Sequence, residues 1–151
     1  MQQHHFNSIV LVVFSIIFFM SIPIFLKDNH RTKLDIKSYS KTIFKEIPLI
    51  FDTQFEKKNQ ELTYIKVKKT DMSLEQYKLV KQRLIQNGWK LKNNDNGMNV
   101  FCYDTYISLN ILYPTQLRYA SQNGDSFEIS DYLTEWYIEY YFNGSDIHYC
   151  T

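Results

Sequence analysis

Apolar residues recur along this chain in three rhythms, and each predicts a different kind of element. The first is unbroken. From Phe6 to Leu26 there are 21 residues without a formal charge, including Ile9 to Phe14 and Ile16 to Met20. A helix of that length spans ~31 Å at ~1.5 Å per residue, about the thickness of a bilayer's hydrocarbon core, so residues 6–26 read as a transmembrane helix. A cleaved signal peptide and a buried soluble helix are the competing readings. Against cleavage, the stretch exceeds an ordinary apolar core region, the first six residues hold no Lys or Arg, and no pair of small residues follows. Residues 1–26 are therefore expected to be an N-terminal membrane anchor, 27–34 a polar juxtamembrane link, and 35–151 a single domain.

The second rhythm is helical. Ile36, Tyr39, Ile43, Phe44 and Ile47 recur at helix spacing behind Asp35, a candidate N-cap, with Pro48 closing the segment. A second helix is predicted over 74–87, because Ser73 with Gln76 forms a capping box, Met72 can staple to Tyr77, and Asn87-Gly88 supplies a stop. Its inward stripe is expected to be Leu74, Tyr77, Val80 and Leu84.

The third rhythm is the period of two. Strands are predicted over 49–55 and 61–69, the latter with Thr63, Ile65 and Val67 on one face and Leu62, Tyr64 and Lys66 on the other. Trp89 and Leu91 open another strand, residues 93–97 turn it, and Val100 to Tyr113 reads as one long strand. Asn123-Gly124 signals a hairpin. Towards the end, Thr134, Trp136, Ile138, Tyr140 and Phe142 alternate with Glu135, Tyr137, Glu139 and Tyr141. Asn143-Gly144 then suggests a two-residue turn into a terminal strand at 147–150. The expected fold is α+β, a mainly antiparallel sheet covered by one or two helices.

Composition adds a polarity along the chain. Residues 27–92 carry 16 basic and 8 acidic side chains, a net of +8, while residues 93–151 carry 1 basic and 8 acidic, a net of −7. A basic strand at 66–69 beside an acidic one at 135–139 explains this through cross-strand pairs, so no nucleic-acid partner is expected. The six basic residues between Lys27 and Lys45 favour a cytoplasmic domain by the positive-inside rule. Long segments nevertheless cross regardless of charge, and a lone N-terminal helix ahead of a Tyr-rich domain with two cysteines serves export. The expected location is a single-pass membrane protein with an extracytoplasmic domain.

Candidate chemistry is sparse. No phosphate-binding loop, nucleophile elbow, zincin or calcium-loop pattern is present, and the four glycines all stand where turns or caps are predicted. No catalytic residue, cofactor or metal is assigned. Cys102 and Cys150 are the candidate disulfide pair, with two free thiols as the alternative. If the terminal strand pairs back across Asn143-Gly144, His148 falls opposite Glu139 and Cys150 opposite Tyr137, and a Cys, His, Cys, Glu set for zinc is the weaker reading of that cluster. Tyr137, Glu139 and Tyr141, with His148, form an outward stripe suited to protein recognition, since Tyr combines apolar area with a hydroxyl. The function these features suggest is a small membrane-anchored, non-catalytic interaction module that binds a partner protein through its sheet face or edge. The alternative is an enzyme or small-ligand binder built from carboxylates and tyrosines.

Overall fold

The structure is a computed structural model that describes residues 33–95, 97–120 and 126–151. The predicted membrane helix at 6–26 and the Asn123-Gly124 turn lie outside the described residues. Among the described residues, no helix is long and apolar enough to cross a membrane.

The domain is α+β, with a mainly antiparallel sheet and two helices on one of its faces. Helix α1 (Ile36–Phe44) starts at Asp35, whose carboxylate accepts from the Ser38 amide at 3.2 Å. It ends before Pro48, because Lys45 turns to φ +53° and leaves the helix. Strands β1 (Ile50–Lys57) and β2 (Gln60–Lys68) form a hairpin. Helix α2 (Leu74–Gln86) carries both bonds of the capping box, Ser73 Oγ accepting from the Gln76 amide at 3.2 Å and Gln76 Oε1 from the Ser73 amide at 2.8 Å. At its other end Gly88, at φ +93°, donates to Ile85 O while Trp89 donates to Leu84 O, so two orphan carbonyls are satisfied.

Strands β3 (Lys90–Asp95), β4 (Met98–Cys102) and β5 (Ile107–Leu112) follow as a meander. The short strands β6 (Arg118–Ala120) and β7 (Ser126–Glu128) pair only with each other, and β8 (Glu135–Asn143) completes the main sheet. Its order is β1-β2-β8-β5-β4-β3, every neighbour antiparallel. The last strand thus lies in the middle, joining the first hairpin to the meander.

Three expectations are corrected. Residues 100–113 are not one strand: Asp104 Oδ1 accepts from the Tyr106 amide at 2.7 Å, and this side-chain turn folds the segment into β4 and β5. No terminal strand pairs across Asn143-Gly144, because both edges of β8 are taken by β2 and β5; residues 148–150 make a single 3-10 turn instead. Leu74 is 52% exposed rather than inward, since Met72, fully buried, already fills the space ahead of α2.

The core lies between helices and sheet. Tyr77, Val80 and Leu84 of α2 and Ile36, Ile43 and Phe44 of α1 pack on Ile65 and Val67 of β2, on Ile107, Leu109 and Ile111 of β5, and on Trp136, Ile138, Tyr140 and Phe142 of β8. The predicted alternation of β8 and of β2 is therefore the alternation of core and outer face. Three buried polar ends find partners, Trp136 Nε1 donating to Met72 O at 2.8 Å, Tyr140 OH to Leu34 O at 3.1 Å and Trp89 Nε1 to Tyr39 OH at 3.1 Å, whereas Tyr77 OH and Ser40 Oγ are buried with no partner among the described residues. The Lys33 ammonium ties the domain's first residues to the first hairpin through Glu61 at 2.9 Å and through Glu56.

Candidate functional site

With the helices on one face, the side chains of opposite parity make up an outer face, and the strand register orders them into rows. One row runs Leu62, Tyr141, Ser108, Cys102 across β2, β8, β5 and β4; the next runs Tyr64, Glu139, Asn110, Val100; a third runs Tyr137, Leu112, Met98 over β8, β5 and β4. The two flanking rows are covered. Over the first lies the C-terminal segment, where Ile147 and Cys150 pack on Val100, Cys102 and Tyr141. Over the third lies the β6–β7 hairpin with its following loop, where Tyr119, Phe127, Ile129 and Tyr132 enclose Leu112 and Tyr137.

Each cover has its own tether. Cys102 is bonded to Cys150, with Cα atoms 5.7 Å apart, and the Ile147 amide donates to Thr105 O at 2.7 Å. The β6–β7 side is held by Lys69, whose ammonium donates to Pro114 O at 2.5 Å and Tyr132 O at 2.6 Å and sits 4.1 Å from the centre of the Tyr113 ring. Burial lowers the pKa of that ammonium. Tyr119 OH accepts from the backbone amides of Thr115 at 2.6 Å and Gln116 at 3.2 Å. Burial alone would push this phenol up, but those donors and the Lys69 charge outweigh it and leave its pKa lowered.

Between the covers lies a polar row. Glu139 accepts from Asn110 Nδ2 at 2.9 Å and from Tyr137 OH at 2.5 Å, and the Tyr64 and Tyr137 rings stand 5.7 Å apart at 52°. Burial first, then the Glu139 carboxylate beside it, drives the Tyr137 phenol far above its ordinary pKa, so Tyr137 is a fixed hydrogen-bond donor. Burial and Glu139 raise Tyr64 as well. Asn110 Oδ1 is buried without a partner among the described residues.

Beside this row opens a cleft of about 270 Å³, lined by Tyr64, Lys66, Glu128, Asp131, Glu135 and Tyr137 among others. Lys66 pairs with Asp52 at 3.2 Å and Arg118 with Glu128 at 2.7 Å, while Asp131 and Glu135 have no ion-pair partner among the described residues. The cleft is therefore acidic, with tyrosine rings in its wall, and suits a cationic or hydrogen-bond-donating group.

The residues singled out from the sequence are distributed unevenly over this face. Tyr137 and Glu139 share the polar network, Tyr141 lies against the disulfide cluster, and His148 is exposed at the start of the 3-10 turn. His148 does not face Glu139, whose register partners are Tyr64 and Asn110. The Cys, His, Cys, Glu cluster does not form: both sulfurs are in the disulfide, and no metal-holding group of His, Cys, Asp and Glu occurs among the described residues. Tyr64 and Asn110 join the site through strand pairing, while Asp131 lies in the turn ahead of β8, where the Glu135 amide donates to its carbonyl at 2.9 Å. For Tyr64 the outward alternation of β2 was a signal; for Asn110 and Asp131 nothing local marks them. The basic and acidic strands do lie side by side, with Lys68 opposite Glu135, although the direct ion pair of that region is Lys66 with Asp52. Comparison with protein-family models, with curated proteins and with solved structures finds no match to this chain.

Proposed function

We propose that this chain is a single-pass, bilayer-anchored interaction module without a catalytic role, held by residues 6–26, whose domain meets a partner protein through the outer sheet face on the extracytoplasmic side. The observation that carries it is the polar strip of Tyr64 and Glu139 with its adjoining cleft, left part-exposed between two tethered covers, with Tyr137 donating to Glu139 from under the β6–β7 cover. Each edge strand carries a bulge, at Gln54 in β1 and Lys92 in β3, and charged side chains besides. Bulged, charged edges resist strand addition, which favours the face over the edge. Cysteines persist as a bridge in an oxidising compartment, and that is the support for the outward location.

Co-purification from detergent-solubilised native membranes tests the reading. Tyr64→Ala and Glu135→Lys are expected to abolish recovery of the partner, and Lys57→Glu on the β1 edge to leave it intact. Recovery unchanged by the face variants and lost with the edge variant would reverse the assignment. The cleft supports a second reading, a small cationic ligand held by Asp131 and Glu135 against Tyr64. A thermal shift with simple diamines that Glu135→Gln removes would favour it.

A further inference from the structure

The helix layer is polarised in the opposite sense to the outer face. On α1, Lys37 and Lys41 lie one turn apart and Lys45 follows at the C-cap; all three are exposed, and none has an ion-pair partner among the described residues. Helix α2 lies alongside, its Arg83 donating to Ile43 O at 3.1 Å. It adds Lys78 and Lys81 and leaves Leu79 and Ile85 48% and 51% exposed. Residues 33–46 and 74–86 together hold 7 basic side chains against 3 acidic ones, Asp35, Glu46 and Glu75. The acids Glu128, Asp131, Glu135 and Glu139 belong to the other side of the sheet.

Exposed lysines interleaved with exposed Leu and Ile on one layer are what a phosphate-rich, apolar-backed interface engages, the cations meeting headgroups while the aliphatic side chains enter the acyl boundary. A polynucleotide would use the cations but not the exposed aliphatics Leu79 and Ile85. We propose that the α1–α2 layer rests on an anionic bilayer surface, turning the acidic, tyrosine-bearing face away from the membrane. This rests on residues 6–26 being the anchor. The nine residues 27–35 span at most about 30 Å when extended, so a bilayer holding the anchor is always within reach of α1.

The test uses the full chain in nanodiscs of phosphatidylcholine alone, or with about one third phosphatidylglycerol, and reads lysine acylation by mass spectrometry. Lys37, Lys41 and Lys45 are expected to be protected about threefold or more in the anionic discs, with Lys66 and Lys90 unchanged, and the protection to vanish near ~0.5 M salt. The variant K37Q/K41Q/K45Q, its fold checked by circular dichroism, is expected to remove the protection of Lys78 as well. Equal acylation in both discs overturns the proposal, as does protection of these lysines by added duplex DNA with none from anionic lipid. Failure of the anchor reading shows separately, as a chain that does not enter phosphatidylcholine discs at all. Flotation of that soluble chain with anionic vesicles then decides the surface: salt-sensitive flotation upholds it and none refutes it.

Discussion

Replacing both Cys102 and Cys150 by serine is the most demanding test of this architecture. The bond joins β4 to the C-terminal turn across a sequence separation of 48, and within that interval lie β5, the β6–β7 hairpin and β8, the strand on which the whole sheet depends. In the chain-entropy treatment, closing a loop of that length removes about 14 cal/mol/K from the unfolded ensemble, or about 4 kcal/mol at room temperature. For a domain of this size that is a large share of a total of about 5–15 kcal/mol, and corresponds to a fall in melting temperature of about 10–15 °C. The folded state loses less, since the Ile147 amide still holds Thr105 O and the Gly144 amide still holds Asn59 O. The double variant is expected to unfold cooperatively at lower urea, followed through Trp89 and Trp136, both buried in the core. Hydrogen exchange at the backbone amide of position 150, which donates to Ile147 O, is expected to rise before that of β8. A loss below about 1 kcal/mol, with unchanged urea dependence, would show that the C-terminal cover is held by its backbone bonds and that the bridge constrains little.

Three smaller perturbations probe other joints. Gly144→Ala places a Cβ 3.0 Å from Asn59 Cβ and 3.2 Å from Asn59 O, backbone that cannot yield without opening the β1–β2 turn, so a loss of about 1–3 kcal/mol is expected in chemical denaturation. Lys69→Met leaves Pro114 O and Tyr132 O without their donor; it is expected to cost about 1–3 kcal/mol and to speed exchange at the Ile129 amide, which donates to Leu117 O, while leaving α2 protected. The hydrogen bonds Asp35 accepts from Ser38 hold its carboxyl below the usual pKa. A carboxyl lowered on folding lends stability above its unfolded pKa of roughly 3.9 and withdraws it as pH falls through the lower folded value. Protection in the first turn of α1, the exchange rate taken against the intrinsic rate at each pH, is therefore expected to fall on acidification through that window in the wild type and to show no such dependence in Asp35→Asn; equal profiles would refute the cap.

Short-range order in this chain was legible wherever neighbouring residues settle it. The capping box of Ser73 and Gln76, the stop at Gly88 and the Asp35 cap act over three or four residues, so their geometry follows from local hydrogen bonding. The strict alternation of β8 likewise announces a strand with one face in the core. Where two local signals compete, legibility drops: Asp104 offers a turn in the middle of an apolar run, and only the folded chain shows the turn prevailing.

Which strands meet was not legible, and the candidate site depends entirely on that. Asn143-Gly144 is a good hairpin signal, yet a hairpin there would need a free edge on β8, and β2 and β5 already occupy both. Those partners are recruited from about 75 residues before β8 and about 30 before it, a competition between burial and loop closure that no window of sequence contains. The register then sets Tyr64 and Asn110 on either side of Glu139, while the turn ahead of β8, where the Glu135 amide donates to Asp131 O, brings those two acids to one cleft and the tail leaves His148 exposed. The chain's own pattern determines which side chains turn outward, because strand geometry alternates regardless of partner. Which outward side chains become neighbours is decided only by the tertiary structure, because long-range pairing is selected by the buried face and the outer face inherits the result.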